Sequence, residues 1–230
     1  MKILYLSQRV PYPPTKGEKI RAYHHIAELS RRHEIHLGCL ADARTDVEHV
    51  EFLRSQCASV DAVYRSPHTA GLLALGALAS SRPLSVAAFE SRRLRRLVEA
   101  RVRAVRPDLL YAYSSAMAPY LEADAGIPRV VDFVDADSEK WRVYGRLRGF
   151  PQSALYALEA ERLARYEGRI ASEFEGSIFV STAEADIVRP LASGRVLTVI
   201  PNGVDLETFR PAPDPERPRE PMIVFTGVMG

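Results

Sequence analysis

The sequence predicts a doubly wound α/β fold built on a parallel sheet, and three observations lead to that prediction. The chain has 230 residues, 47% hydrophobic and 26% charged, a composition typical of an ordinary soluble globular protein. Short apolar runs typical of strands alternate with segments of helical periodicity from the first residues onward. Such alternation requires crossover connections, which make the sheet parallel and place helices on both of its faces.

The amino-terminal part of the chain carries a βαβαβ pattern. Strands are predicted at residues 3–6, 35–40 and 60–64, and helices at residues 18–32 and 46–58. We expect the first helix to bury Ile20, Tyr23, Ile26, Ala27 and Leu29, and the second to bury Val47, Val50, Leu53 and Cys57. Later strands are predicted at residues 109–113, 130–134, 177–181 and 196–200.

Charge, cysteine content and the first residues exclude several classes of protein. A net charge of +2 is too mild to indicate nucleic-acid binding. Only four apolar residues follow Lys2, so no signal peptide is predicted. We therefore expect a cytoplasmic location. Cys39 and Cys57 lack the spacing of a zinc site and are predicted to be buried, reduced thiols. No histidine pattern typical of a metal site occurs, and no metal is expected.

The loop after the first strand, "QRVPYPPTKGEKIR" at residues 8–21, is a candidate binding site. Gly17 permits a close backbone approach, the following helix presents free amides, and Lys16 and Arg21 add positive charge. These features fit a phosphate-bearing ligand. A rigid connection between strand and helix explains the same residues, so both interpretations stay open.

The loop "VVDFVDADSEKW" at residues 130–141 concentrates acidic side chains where a buried strand ends. Its carboxylates are those of Asp132, Asp135, Asp137 and Glu139. Their mutual repulsion requires partners, and a carboxylate in this position suits orienting a sugar or accepting a proton. The alternative is that Asp137 or Ser138 simply caps the next helix.

Hydroxyl groups follow two further predicted strands. Ser114 and Ser115 come after residues 109–113, and Ser181 and Glu184 lie at and just after the end of residues 177–181. Contact with a donor or acceptor substrate is one interpretation, and N-capping of the next helix is the other.

Two segments are candidates for peripheral membrane contact. Residues 92–106 hold seven arginines and one acid, Glu99, with apolar residues at helical spacing. Such a helix either lies on anionic lipid or packs its apolar face on the sheet. Residues 70–79, "AGLLALGALA", are too short to span a bilayer and form either a lipid contact or a buried helix.

The alternating pattern stops after residue 200, which suggests a domain boundary. Five prolines fall at residues 211–221, so residues 204–221 are predicted to be a stiff linker after a domain at residues 1–203. Residues 222–230, "MIVFTGVMG", are predicted to open a second domain. On this interpretation the chain is an amino-terminal fragment.

Four stretches together carry a family resemblance: residues 3–40, "VVDFVDADSEKW", "FVSTAEAD" and "PNGVDLETFRP". They resemble the amino-terminal half of nucleotide-sugar-dependent glycosyltransferases of the GT-B fold, group 1 or family 4. Among these, the chain looks most like sugar transferases associated with PEP-CTERM/exosortase exopolysaccharide loci.

The resemblance implies transfer of a sugar from a nucleotide-sugar donor to a saccharide or polyprenyl-linked acceptor, with retention and without a metal or other cofactor. It makes Pro201, Asn202 and Gly203 the crossing to a donor-side domain, and it places Gly17 near the donor diphosphate. Asp135 and Asp137 would face the transferred sugar or the acceptor hydroxyl. Many relatives have histidine where this chain has Val134, so the catalytic base stays open.

Two alternatives to this assignment remain. The first alternative is a non-catalytic module that binds an acceptor or a lipid surface. It arises because the chain would not transfer sugar without the donor-side domain. A metal-dependent transferase that uses Asp135-Ala136-Asp137 as a DxD motif is the second.

Overall fold

The protein forms one seven-stranded sheet in which every neighbouring pair of strands is parallel. The structure, a computed structural model, describes residues 1–43, 46–121, 126–207 and 209–210, without the side chain of Val47. The greater part of the predicted linker and the strand predicted at residues 222–230 lie outside the described residues.

The strands follow the order β3-β2-β1-β4-β5-β6-β7 across the sheet. Their bounds are β1 Lys2–Ser7, β2 Glu34–Ala41, β3 Ser59–Tyr64, β4 Leu109–Tyr113, β5 Arg129–Val134, β6 Gly176–Phe179 and β7 Val196–Val199. The chain moves outward from β1 to β3, returns to the other side of β1 and continues outward from β4. This arrangement confirms the predicted doubly wound α/β class.

Eight α-helices connect the described strands. They are α1 Gly17–Leu29, α2 Val47–Arg54, α3 Pro67–Ala77, α4 Leu84–Ala88, α5 Arg92–Val105, α6 Asp137–Arg146, α7 Gln152–Glu173 and α8 Thr182–Val188. Short 3₁₀ helices occupy Ser115–Tyr120 and Arg189–Leu191.

The sheet separates two hydrophobic cores, as the period-two alternation of β1 shows. Ile3 and Tyr5 pack with α1 and α2 on one face, whereas Leu4 and Leu6 pack with α5 and α7 on the other.

Cys39 and Cys57 are buried thiols, as predicted, and burial raises the pKa of each to about 12. At neutral pH both therefore stay protonated and behave as small apolar side chains.

One predicted buried position of α1 is wrong, and one of the two interpretations of residues 70–79 does not hold. In α1 the side chain of Ile20 is 42% exposed, while Arg21 is buried in its place. The prediction failed because helical periodicity treats every arginine as a surface residue. A buried helix was also one interpretation of residues 70–79, yet Leu72 and Leu75 of α3 are 71% and 64% exposed.

Helix α5 packs its apolar face on the sheet. Leu94 and Val98 are buried, and Arg101 forms a bidentate ion pair with Asp61 of β3 at 2.9 Å. The arginine-rich sequence of this helix is thus accommodated as a solvated outer face. Within the described residues, every helix is too short or too polar to span a bilayer.

Helix α7 fits closely against the 3₁₀ helix Arg189–Leu191. A Cβ atom added at Gly168 would lie 2.7 Å from the Leu191 Cβ and 2.9 Å from its carbonyl oxygen. Backbone atoms cannot rotate away, so glycine at this position lets the two elements touch.

We expect Gly168→Ala to lower the free energy of unfolding by about 1–3 kcal/mol, because the added methyl group forces the two elements apart. Gly71→Ala in α3 is the matched control, since nothing lies within 4 Å of a Cβ there. That substitution should stabilise the protein by about 0.5–1 kcal/mol through helix propensity. Urea unfolding of both variants measures the difference, and equal effects would contradict the packing argument.

Candidate functional site

The candidate site lies at the carboxyl edge of the sheet, where β1 and β4 are neighbours. Their connections leave in opposite directions, which opens a crevice between the loops that follow them. Helices α1, α6 and α8 and the 3₁₀ helix Ser115–Tyr120 all begin at this edge. The backbone amides in the first turn of each of these four helices therefore point toward the same region.

A buried ion pair lies beneath this edge. The Nε atom of Arg21 in α1 donates to Oδ2 of Asp132 in β5 at 3.1 Å, and the side chains are 5% and 0% exposed. Oδ2 also accepts a hydrogen bond from the Tyr111 hydroxyl at 3.1 Å, and Oδ1 accepts one from the Val134 amide at 3.0 Å. Both carboxylate oxygens of Asp132 are thus satisfied.

Aromatic rings and a histidine surround the pair. Tyr5 stacks on Tyr111 with ring centroids 4.7 Å apart, and His25 places its Nδ1 atom 3.8 Å from Asp132 Oδ2. Burial, together with the charge of Asp132, raises the pKa of Tyr111 well above its ordinary value. Burial lowers the pKa of His25, which favours its neutral form.

The same arginine also holds the segment that follows β7. Arg21 Nη1 donates to Oδ1 of Asn202 at 3.0 Å, whereas Arg21 Nη2 is buried without a partner. Residues 201–205 have no regular secondary structure, and the first turn after β7 comes at residues 206–207. Asn202 therefore serves here as a side-chain anchor.

Ser114, the first residue after β4, and Val134, the last residue of β5, both lie in the left-handed region. Ser114 has φ of 80° and Val134 has φ of 68°. A β-branched residue rarely adopts this conformation, which costs about 1–3 kcal/mol. At Val134 the chain turns sharply enough for the Asp135 amide to donate to the Phe133 carbonyl at 2.9 Å. The turn directs Asp135 outward from the sheet edge.

The acidic loop divides into exposed and supported carboxylates. Asp135 is exposed, and its side chain has no partner among the described residues. Asp137 keeps 38% of its side-chain surface exposed. Burial by the surrounding atoms nevertheless raises the pKa of its carboxyl group. The charge of Lys140 opposes this rise in pKa, whereas the charges of Asp135 and Glu184 add to it. Asp135 and Asp137 thus present carboxylate oxygens at the edge of the crevice.

Neither Asp137 nor Ser138 caps helix α6 with its own side chain, which corrects that interpretation. The N-cap residue is Ala136. Glu167 of α7 instead accepts hydrogen bonds from the Ser138 amide at 3.1 Å and the Ser138 hydroxyl at 2.5 Å. Glu184 of α8 accepts one from the Ala136 amide at 2.6 Å. Two carboxylates from other helices therefore satisfy the first amides of α6.

The hydroxyl candidates are mostly structural. Ser114 Oγ accepts a hydrogen bond from the Ala116 amide, and Ser181 Oγ accepts one from the Glu184 amide, each at 3.3 Å, so both cap the helices that follow. Ser115 is 4% exposed, and its carbonyl accepts the Tyr166 hydroxyl at 2.8 Å. These positions leave little surface for direct contact with a substrate.

The loop after β1 is open to solvent where a ligand was predicted. Lys16 and Gly17 are exposed, and nothing lies within 4 Å of a Cβ built on Gly17. The Lys16 ammonium has no ion-pair partner among the described residues. Arg21, the third candidate of this loop, points inward to Asp132, and only its Nη2 atom lacks a partner.

Sequence reasoning missed His25 and Tyr111 and gave Asp132 no separate role. A signal was present, because Asp132 interrupts an otherwise apolar strand and a buried carboxylate needs a buried cation. In the part of the chain that the structure describes, no group of three or more histidine, cysteine, aspartate or glutamate residues could hold a metal ion.

Comparisons with known proteins bear on the fold. No family model and no curated protein matches the sequence. Sucrose-phosphate synthase from Thermosynechococcus elongatus matches 92% of this chain with a TM-score of 0.58 and 14% identity. TcCGT1 in complex with UDP matches 85% of it with a TM-score of 0.46 and 10% identity. The chain spans 50% of the length of each of these two structures. The first likeness shows a Rossmann-like fold that corresponds to half of a GT-B architecture.

We expect Asp132→Asn to lower the free energy of unfolding by about 3–5 kcal/mol, because Arg21 would stay buried without a counter-charge. Arg21→Gln should also destabilise, whereas the double variant should lose less than the sum of the two single losses. Urea unfolding of the four proteins gives the coupling energy. Additive losses would contradict a direct interaction between the two side chains.

Glu167 makes the stability of the protein depend on pH. Burial raises its pKa from 4.5 to about 7 in the folded protein, against the opposing hydrogen bonds from Ser138. Between these two values the unfolded chain has lost the proton that the folded protein keeps. The free energy of unfolding therefore falls as pH rises from about 4.5 to about 7, by up to about 3 kcal/mol.

Glu167→Gln should remove this fall, because glutamine stays neutral throughout the range. Urea unfolding of both proteins between about pH 4.5 and pH 8 tests the expectation. Glu161→Gln is the control, since Glu161 lies on the same helix with its side chain 67% exposed. Identical pH profiles for the wild type and Glu167→Gln would contradict the assignment.

Proposed function

We propose that the protein is a glycosyltransferase that moves a sugar from a nucleotide-sugar donor to a saccharide or polyprenyl-linked acceptor. In this proposal the described domain forms the acceptor-side wall of the cleft, and a second, donor-side domain completes it. The chain alone would then bind without turning over. Retention of the anomeric configuration, a role in exopolysaccharide synthesis and a cytoplasmic location belong to the same proposal.

The observation that carries the proposal is the position of Asp135 and Asp137. Both carboxylates stand at the carboxyl edge, beside the crevice at which ligands bind in sheets of this topology. The likeness to sucrose-phosphate synthase supports sugar transfer as the chemistry, because that enzyme has the same fold over 92% of this chain.

The geometry assigns different parts of the substrates to different loops. Exposed Lys16 and the amides at the start of α1 suit the negatively charged diphosphate of a donor. Asp135 suits the acceptor hydroxyl or the positive charge that develops on the transferred sugar, since its carboxylate is exposed and unpaired among the described residues. Val134 cannot exchange a proton, so a carboxylate or a group of the second domain must act as the base.

We expect Asp135→Asn to lower turnover by a factor of about 100 or more, with thermal stability almost unchanged, and Asp137→Asn to have a smaller effect. Both should be tested in the protein that carries both domains, with a panel of nucleotide sugars. Asp186→Asn is the control, because this exposed carboxylate on α8 pairs with Arg189. Near-normal turnover in both loop variants would give the loop a purely structural role.

We also propose that transfer needs no divalent metal ion, and that basic residues and amides neutralise the leaving diphosphate. Turnover should then survive exhaustive chelation. Activity that chelation abolishes and manganese restores would instead favour a metal bound through Asp135 and Asp137.

A further inference from the structure

The hairpin of α6 and α7 exposes large apolar side chains at its tip. Leu147 is 74% exposed and Phe150 is 88% exposed, and both lie in the short connection between the two helices. Val143, Tyr144 and Leu155, on the adjoining turns, are each at least 40% exposed. A cluster of this size at one end of a hairpin indicates a contact surface.

The tip carries basic side chains, of which Lys140 pairs with Asp137 and Arg142 with Glu139. Residues 140–158 contain Lys140, Arg142, Arg146 and Arg148 and no carboxylate. Arg146 and Arg148 flank Leu147, and neither has an ion-pair partner within the described ranges. Arg142, Arg146 and Ser153 also line a depression of about 410 Å³ between the two helices. The tip thus combines exposed apolar groups with unneutralised cations.

The hairpin projects beyond the carboxyl edge of the sheet. Glu167 contacts Ser138 in the first turn of α6, so α7 reaches the level of that edge at Glu167. Residues 152–166 therefore extend past the edge, a length of about 22 Å at 1.5 Å per residue. The tip lies at the far end of this hairpin, beyond Glu159 and Arg162, which bond to residues at the connection between α3 and α4.

We propose that this tip, residues 142–155, docks on an anionic phospholipid bilayer. Leu147 and Phe150 enter the interface, and Arg146 and Arg148 contact lipid phosphates. Each arginine near such a surface strengthens binding electrostatically, and the aromatic ring suits the boundary between head groups and acyl chains.

Other exposed apolar surfaces of the described chain fit this partner less well. Helix α3 exposes Leu72 and Leu75 but carries no lysine or arginine between positions 67 and 77. Helix α5 is basic, yet its apolar side chains Leu94 and Val98 are buried. In the segment after β7, the exposed Leu206 lies between two acids, Asp205 and Glu207.

Docking at the tip would hold the carboxyl edge of the sheet close to the lipid surface. If the proposed function is correct, the acceptor is then one whose lipid part stays in the membrane while its polar end enters the crevice. This consequence rests on the proposed function, whereas the docking itself does not. Vesicle binding tests the docking alone. Turnover with a soluble acceptor analogue tests the proposed function alone.

Sedimentation with vesicles tests the docking. The wild type should bind vesicles that contain phosphatidylglycerol, bind pure phosphatidylcholine vesicles weakly, and lose binding as salt increases. The variants L147S/F150S and R146E/R148E should each lower the partition coefficient for the anionic vesicles by about tenfold or more. Their thermal unfolding should match that of the wild type, because the altered side chains are exposed.

Two matched double variants separate the tip from the other candidate surfaces. L72S/L75S alters exposed leucines of α3, and R96E/R103E makes the same change of charge on the outer face of α5. Both should keep the partition coefficient within about threefold of the wild type. The proposal is overturned if these controls lose binding as the tip variants do, or if the wild type binds neutral and anionic vesicles equally. A tip that instead controls dimerisation, with no vesicle binding, identifies a second copy as its partner.

Discussion

The carboxyl edge of the sheet depends on the contact between Arg21 and Asp132. A carboxylate with no exposure is tolerated in β5 only because a guanidinium, a phenol and an amide satisfy its two oxygens. The contact joins α1 to β5, two elements whose contacting residues are 111 positions apart in the chain. It therefore helps to fix the position of α1 relative to β5. The contact thus ties together three elements beside the candidate site, α1, β4 and β5.

Buried glutamates of α7 play a comparable part at the ends of other helices. Glu159 accepts the Leu84 and Ser85 amides at the start of α4, and Glu167 accepts the Ser138 amide at the start of α6. A side chain from a distant helix thus replaces the local cap in both cases. The hydrogen bonds from these amides offset part of the cost of burying each carboxyl group.

The sequence was sufficient to predict the class of fold and nearly every strand, because β-type apolar runs and helical periodicity are local properties. The candidate site was predicted only in part. Asp135 and Asp137 were proposed because they follow a strand, whereas the contacts of Arg21, His25 and Glu167 involve partners far away in the chain. Helical periodicity contains no information about such pairing. It predicted that Ile20 is buried, whereas in the structure Ile20 is exposed and Arg21 is buried.

The bond from Arg21 to Asn202 has a thermodynamic consequence for the segment after β7. One guanidinium bonds both the core carboxylate and the side chain that anchors this segment. Displacing Asn202 would break a hydrogen bond to a charged group, at a cost of about 1.5–3 kcal/mol. By reciprocity, any ligand that keeps Asn202 in place also stabilises the folded domain. The melting temperature of the domain should therefore respond to ligands that bind the segment after β7 in this position.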